Sequence, residues 1–349
     1  MKSKGILTVV LGLGAMAAWG QIPSPAGLKT GPGVQAPNDS KEPDVLKTCK
    51  VPPQARGGGP RRPPPAAAAP GPKEYTVTEI PGVIAAGQKW KEIWEVDGNN
   101  ADGIIATKDG GILMAQNDNS AVVKLDKDGK TSIAYADTNT GGALAMNSKG
   151  ALFVNNRGLN ASIEELAPHR KTLANKYNGD SFDCIGGVLN DLTADSKGGA
   201  YFTMGGLFYS DSQGKVVKYG ENLFTNGIVL SADEKHLFVT NGPTVAEFDV
   251  HKDGSLTNQR EFAKLEGGGD GSTFDSEGRL YVTTNGGVNV IGTDGKNLGL
   301  IPTPRGVISV AFSGPDRKTL YAVSRDNAQN KDWIIAIETI AQGPKGRGK

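Results

Sequence analysis

Four side chains along this sequence carry oxygen donors and stand at the start of short apolar segments. They are Asp102 in NADGI, Asn190 in LNDL, Asn226 in TNGI and Asp270 in GDGS. Carboxylate and carboxamide oxygens are hard donors that suit Ca²⁺, and Mg²⁺ or Mn²⁺ less well, whereas zinc or copper would require nitrogen or sulfur. A cation with an open coordination position can polarise a carbonyl group. The residue types therefore predict a calcium site with the chemistry of a Lewis-acid hydrolase.

Each of these residues also has a simpler interpretation. An Asn or Asp followed by Gly at the entrance of a strand is typical of a turn, in which the side chain satisfies local backbone groups. For any one of them alone, the turn is the better interpretation. All four, however, recur at one position of a sequence repeat, and this coincidence favours a shared site. Gly142 and Ser309 stand at the same position in the other two repeats.

The repeat consists of an apolar pair, a turn that joins Asp, Ser or Lys with Gly, and an apolar or aromatic strand ending in a small polar residue. Its length is roughly 40 residues, in the range of one four-stranded propeller blade. The six units begin at Ile104, Leu144, Leu192, Ile228, Thr273 and Val310. The sequence therefore predicts an all-β, six-bladed β-propeller. In that fold the residue before each innermost strand points to one mouth of the central channel, so distant residues can converge there.

A circular array must close on itself to remove its exposed edges. The last repeat offers only three strands, so we expect Tyr75–Ile80, at the start of a propeller spanning residues 74–340, to supply its outer strand. Residues 89–96 would then lead into the first repeat, with Trp90 and Trp94 as packing anchors. The basic tail, residues 341–349, is expected to be a frayed terminus.

The chain begins with features of an export signal. Residues 1–20 combine two lysines, a short apolar run and small residues, which predicts a signal peptide cleaved after Gly20 and a secreted or periplasmic protein. An uncleaved anchor is the alternative; after cleavage we expect no membrane contact. Residues 21–73 are rich in Pro, Gly and Ala, which predicts a disordered, extended linker.

Composition limits the partners. The 349 residues carry a formal charge of only +1, so no global field would attract nucleic acid or anionic lipid. We therefore expect a small-molecule partner bound in a local pocket, and a monomer. The two cysteines, Cys49 and Cys184, form no metal or haem spacing; we favour two isolated thiols, although an oxidising compartment would permit one bridge.

One connection is longer than the others. Residues 157–187 lie between the second and third repeats and include His169. Long loops on a rigid scaffold often cover a binding site. This stretch is our candidate for a lid, and His169, though more simply a bystander, is a possible base within it.

Several of these segments resemble the gluconolactonase, senescence marker protein (regucalcin) and luciferin-regenerating enzyme family of six-bladed propellers. The resemblance covers residues 102–323 and is strongest in YNGDSFDCIGGVLNDLTADSKGGAYFT, TNGIVLSADEKHLFVTN, GDGSTFDSEGRLYVTTNGGVNV and FSGPDRKTLYAVS. It implies a divalent metal, usually Ca²⁺, at the channel mouth. Its ligands would be Asn226, Asp270 and the first-blade acid Asp102, with Asn190 as a ligand or a substrate contact.

The sequence departs from that family pattern at two places. The first-blade triplet is Asp102-Gly103-Ile104, where the family usually shows Glu-Gly-Pro, so the acid is one methylene shorter. The segment Phe202-Thr203-Met204-Gly205 replaces the family's Phe-Thr-Asp-Pro. Met204 would then line an apolar substrate pocket, although the core is the commoner place for a methionine.

The leading hypothesis is a metal-dependent hydrolase, with Ca²⁺ as the expected ion, that acts on a lactone or related ester. In it Asp270 activates water or attacks directly. The alternative is a non-catalytic propeller that binds a ligand or protein and keeps a structural metal or none. A quinone-dependent sugar dehydrogenase is disfavoured, because no matching set of histidine and arginine is found at the repeat positions.

Overall fold

The structure is a computed structural model that describes residues 35–51 and 72–349. The predicted signal peptide and most of the predicted linker lie outside these residues. The described chain is built from six four-stranded antiparallel sheets, one small hairpin and very short helices. This is the six-bladed β-propeller that the repeat predicts. No helix in the described ranges has the length and apolar character needed to cross a bilayer.

The first three blades follow one another along the chain, and each runs from the channel outward. Strand β1 (Lys91–Asp97) precedes them. Blade 1 contains β2 (Ile104–Ala106), β3 (Ile112–Gln116), β4 (Ala121–Leu125) and β5 (Thr131–Tyr135). Blade 2 contains β6 (Gly141–Met146), β7 (Leu152–Asn156), β8 (Ser162–Ala167) and β9 (Lys171–Ala174). A hairpin of β10 (Lys176–Tyr177) and β11 (Asp180–Ser181) follows, and blade 3 contains β12 (Leu192–Ala194), β13 (Ala200–Thr203), β14 (Leu207–Ser210) and β15 (Val216–Tyr219).

The remaining blades repeat this order. Blade 4 contains β16 (Thr225–Leu230), β17 (His236–Asn241), β18 (Thr244–Val250) and β19 (Leu256–Lys264). Blade 5 contains β20 (Ser272–Phe274), β21 (Leu280–Thr284), β22 (Gly287–Ile291) and β23 (Asn297–Pro302). Blade 6 contains β24 (Val307–Ser313), β25 (Thr319–Asp326) and β26 (Lys331–Glu338), with β1 as its outer strand. All six units that the repeat predicts therefore supply an innermost strand.

The strand that closes the ring is β1, and the assignment of Tyr75–Ile80 to this place is wrong. β1 pairs with β26 from Lys91 opposite Ala336 to Asp97 opposite Lys331. Residues 75–80 instead pack over blades 5 and 6, where Val77 and Ile80 are buried. Both stretches alternate in polarity, so alternation does not decide between them. The buried side chain of Trp94 in β1 faces the core between blades 6 and 1.

The core lies between neighbouring blades rather than at the centre of the molecule. The inner strands are buried on both faces, whereas outer strands such as β5 are largely exposed. Between blades 5 and 6, for example, the ring of Tyr281 meets Phe312 edge to face at 4.9 Å. Such interblade packing fixes the position of each innermost strand relative to the next.

A short segment ahead of the propeller is fixed to it. Residues 35–51 include a 3-10 turn (Ala36–Asn38) and helix α1 (Glu42–Leu46), so this part of the predicted linker is not extended. Cys49 forms a disulfide with Cys184, which follows the hairpin. The expectation of two isolated thiols is therefore wrong. The backbone N–H of Ala36 also donates to the carbonyl oxygen of Arg157, at 2.9 Å.

The proposed lid and the frayed tail are also wrong. Residues 157–187 contain β8 and β9, the outer half of blade 2, and then the β10–β11 hairpin; His169 is exposed in the turn between β8 and β9. The tail runs across the mouth opposite the predicted site. Gly348 exchanges backbone hydrogen bonds with Met146, at the end of the innermost strand of blade 2, and the side chain of Arg347 is 6% exposed.

Candidate active site at the channel mouth

The four predicted site residues lie at the same mouth of the channel. Asp102, Asn190 and Asp270 each stand two residues before an innermost strand, and Asn226 is the second residue of β16. The Nδ2 atom of Asn190 donates to Oδ1 of Asn226 at 2.6 Å, which joins blades 3 and 4. The structure thus brings the four oxygen-bearing side chains into one cluster.

Glycines let the innermost strands approach closely enough for this cluster to form. A Cβ atom on Gly227 would lie 2.0 Å from the carbonyl oxygen of Asp270, and one on Gly103 would lie 2.6 Å from the Cα of Ala143. These glycines follow Asn226 and Asp102. The Asn-Gly and Asp-Gly pairs therefore reflect contact between blades, not the local turns that the simpler interpretation expects.

Asp270 is a carboxylate without a hydrogen-bonding partner among the described residues. Burial raises its pKa to about 7, and the negative charges of Asp102 and Asp191 add to this effect, while Arg157 and Lys349 oppose it. A carboxyl group with these properties exchanges a proton near neutral pH and keeps its lone pairs free. It is the member of the cluster best suited to act as a base.

Arg157, the residue after β7, was not identified from the sequence, and it lies at the centre of the cluster. Its Nη1 atom pairs with Oδ2 of Asp102 at 2.5 Å and donates to Oδ1 of Asn117 at 3.3 Å. Its Nη2 atom donates to the backbone oxygen of Asn190 and, at 3.3 Å, to the side-chain oxygen of the same residue. Asn117 in turn donates to Asp102 at 2.9 Å. The guanidinium group therefore links blades 1, 2 and 3.

Two further charges reach the channel from other parts of the chain. Lys349, in the tail, pairs with the buried carboxylate of Asp191, next to Asn190. Arg325, near the end of β25 in blade 6, pairs with Asp332 at 2.7 Å. Asp332 also accepts the backbone N–H groups of Asn100 and Ala101, just before Asp102. These ion pairs hold charged side chains and the backbone in place around the cluster.

Ser309 and Met204, which the sequence also singled out, do not present a free side chain to the cluster. Ser309 accepts the backbone N–H of Ile104 at 3.2 Å and so joins blades 6 and 1. Met204 is 1% exposed in a core cluster with Phe182 and Phe208. This burial corrects the expectation that Met204 lines an apolar substrate pocket.

The residues as arranged do not fit a divalent metal ion. The donor types are suitable, but the guanidinium of Arg157 already contacts Asp102 and Asn190, and the oxygen of Asn226 accepts a hydrogen bond from Asn190. A cation bound to the same oxygens would lie against a second positive charge, which repels it. Within residues 35–51 and 72–349, no group of three or more His, Cys, Asp or Glu residues is arranged to hold a metal.

The residues that sequence reasoning missed share one property. Arg157, Arg325 and Lys349 lie outside the repeated position and reach the channel with long side chains or from the tail. One signal was present in the sequence. Gly142 leaves one of the six repeated positions without a side chain, and a long side chain from the same blade fills that space.

Comparisons with known proteins agree with the fold and show the family. A family model described as an SMP-30/gluconolactonase/LRE-like region matches residues 132–326, more than half of the chain. The chain is 33% identical over 210 residues to a lactonase, drp35, of Staphylococcus epidermidis, covering 54% of this chain and 57% of that protein. It is 26% identical over 213 residues to a gluconolactonase of Zymomonas mobilis, covering 51% of this chain and 59% of that protein. The chain thus spans little more than half the length of these relatives.

A solved structure extends this likeness over more of the chain. The gluconolactonase from Xanthomonas campestris superimposes with a TM-score of 0.60 at 19% identity, covering 72% of this chain and 90% of the other. At this identity the similarity establishes the fold and nothing finer.

Proposed function

Because this chain belongs to the SMP-30/gluconolactonase/LRE-like family, we propose that it hydrolyses a lactone or a related ester at the channel mouth. The observation that carries the proposal is the free carboxylate of Asp270, which lies among the charges of Asp102, Asp191 and Arg157. The names of the relatives, a lactonase and a gluconolactonase, support the same substrate class.

Asp270 acts as the general base in this proposal. Its carboxylate takes a proton from water as the water oxygen attacks the carbonyl carbon of the lactone. When the ring C–O bond breaks, the protonated carboxyl returns this proton to the leaving oxygen, so that a lactone and one water give a hydroxy acid. A pKa of about 7 suits both steps.

The negative charge that develops on the carbonyl oxygen needs a partner. No hydrogen bond of the described residues uses Nδ2 of Asn226, which leaves this amide able to donate. The guanidinium of Arg157 adds a fixed positive charge in the same cluster. Preorganised donors and charges of this kind stabilise such an oxyanion strongly. Metal dependence, which the resemblance implies, is not used in any step, because the arginine contacts the oxygens that would bind the ion.

The test is an assay with a panel of γ- and δ-lactones and aryl esters. Asp270→Asn should reduce turnover by about 10²–10⁴-fold, the usual contribution of a general base. Asp294→Asn, an exposed acid in the same blade, is the matched control and should retain full activity. Absence of turnover on every substrate by folded protein would overturn the proposal and favour a non-catalytic propeller. Full activity of Asp270→Asn would instead overturn the role of Asp270 as the base.

We further propose that the protein is exported and acts as a monomer. The Cys49–Cys184 disulfide supports export, because disulfides persist mainly in oxidising compartments. Mass spectrometry of protein from the culture medium and periplasm should find a chain that starts at Gln21, and size-exclusion chromatography should give the mass of one chain. An intact cytoplasmic protein would contradict export.

A further inference from the structure

One of the six repeated positions has no side chain of its own. Gly142 stands in blade 2 where the other blades carry Asp102, Asn190, Asn226, Asp270 and Ser309. A Cβ atom on Gly142 would lie 1.9 Å from Cζ of Arg157. The guanidinium group therefore rests on the backbone of Gly142 and fills the place of the missing side chain, and even alanine at residue 142 would displace it.

The arginine is held there from several sides. Its side chain is only 6% exposed, and its two terminal nitrogens contact Asp102, Asn117 and Asn190. Asn155, two residues earlier in β7, accepts the N–H groups of Gly142 and Ala143 at 3.0 and 2.6 Å and donates to the backbone oxygen of Asn190 at 2.8 Å. The surrounding backbone is thus fixed around the guanidinium.

We propose that Arg157 is the resident cation of this site and takes the place of the divalent ion that the oxygen donors would otherwise bind. Gly142 makes the space for it, and Asn117 and Asp102 hold it. A guanidinium is planar, permanently charged and able to make several directed hydrogen bonds, so one side chain can join three blades as a metal ion would. The arginine contacts the oxygens of Asp102 and Asn190 directly. Unlike a metal ion, it does not have to be taken up from solution.

This assignment deepens the proposed hydrolysis, and its chemical part rests on that function. A buried guanidinium supplies charge but no open coordination position. The substrate carbonyl is therefore polarised by the charge of Arg157 and the amide of Asn226, and not by direct coordination to an ion. Hydrolysis by the natural protein should accordingly be unaffected by removal of divalent metals.

The closing experiment measures ion binding and does not require activity. Protein freed of metal with a chelator is titrated with Ca²⁺ and with Mn²⁺ in a calorimeter. We expect no saturable binding by the natural protein or by Arg157→Lys, which keeps the charge. Arg157→Met exposes the oxygens and should bind one ion per chain, at least tenfold more tightly than any residual binding by the natural protein. The additional change Asp102→Asn should abolish this binding.

Two further variants keep the test decisive. Gly142→Ala displaces the guanidinium without deleting it and should also gain ion binding, which matters if Arg157→Met fails to fold by circular dichroism. Arg170→Met, which removes an exposed arginine of the same blade, is the control and should gain none. Stoichiometric, Asp102-dependent binding by the natural protein would overturn the proposal, and so would a folded Arg157→Met protein that binds no ion.

Activity measurements separate this inference from the proposed function. Chelator-sensitive hydrolysis that is restored by Ca²⁺ would overturn the role of Arg157 and leave the lactonase assignment standing. If no substrate is hydrolysed, the proposed function fails, and the calorimetric result still decides which cation the site holds.

Discussion

Replacement of Asp270 by asparagine should stabilise the folded protein at alkaline pH while it removes activity. An exposed aspartate has a pKa near 4. In the folded protein the pKa of Asp270 is about 7, because burial and then the charges of Asp102 and Asp191 disfavour the ionised form. The base proposed for catalysis is therefore a source of instability whenever it is charged.

The size and sign of the effect follow from this difference in pKa. Between pH 4 and pH 7 the folded state keeps a proton that the unfolded state has lost, so the free energy of unfolding falls as the pH rises. A difference of about three pKa units corresponds to about 4 kcal/mol. This cost is absent below pH 4 and complete above pH 7. Asparagine does not titrate, so the free energy of unfolding of the Asp270→Asn protein should not include this cost.

Urea unfolding at pH 5, 6, 7 and 8 measures this cost, with the fluorescence of the buried tryptophans Trp90, Trp94 and Trp333 as the signal. The stability of Asp270→Asn relative to the natural protein should increase by about 3 kcal/mol over this range. Asp294→Asn should show no such trend, because that carboxyl is exposed and its pKa is lowered by Lys296. Parallel stability curves for Asp270→Asn and the natural protein would refute the reasoning.

Three further results are expected. The kcat/KM of lactone hydrolysis should rise through a pH of about 7 as Asp270 ionises, and Lys349→Met should move this midpoint upward because the ammonium lowers the pKa of Asp270; an unchanged pH profile contradicts this. Replacing Cys49 and Cys184 by serine should lower the free energy of unfolding by about 2–4 kcal/mol and expose residues 35–51 to proteases; equal urea midpoints would count against it. Gly227→Ala should cost about 1–3 kcal/mol or more in thermal unfolding, because its Cβ would meet the carbonyl of Asp270, whereas Gly268→Ala, with nothing within 4 Å, should not.

The fold and the position of the four oxygen-bearing side chains were predictable from the sequence for a local reason. Each blade is a meander of strands that follow one another in the chain, so about 40 consecutive residues contain all of its apolar pairs and turns. Repetition then places Asp102, Asn190, Asn226 and Asp270 at equivalent points of the ring. No single residue of the four carried this information alone, because the same Asn-Gly or Asp-Gly pair also suits an ordinary turn.

Only the tertiary structure decided which segments that are far apart in the chain contact one another. Two alternating stretches could have closed the ring, and pairing with β26 selected Lys91–Asp97. Arg157 does not stand at the repeated position, yet its long side chain reaches Asp102 in the neighbouring blade, and Lys349 reaches Asp191 from the tail. A pattern along the chain specifies on which face of a strand a residue lies. What a long side chain can reach, and how the ring closes, depend on where distant strands finally lie.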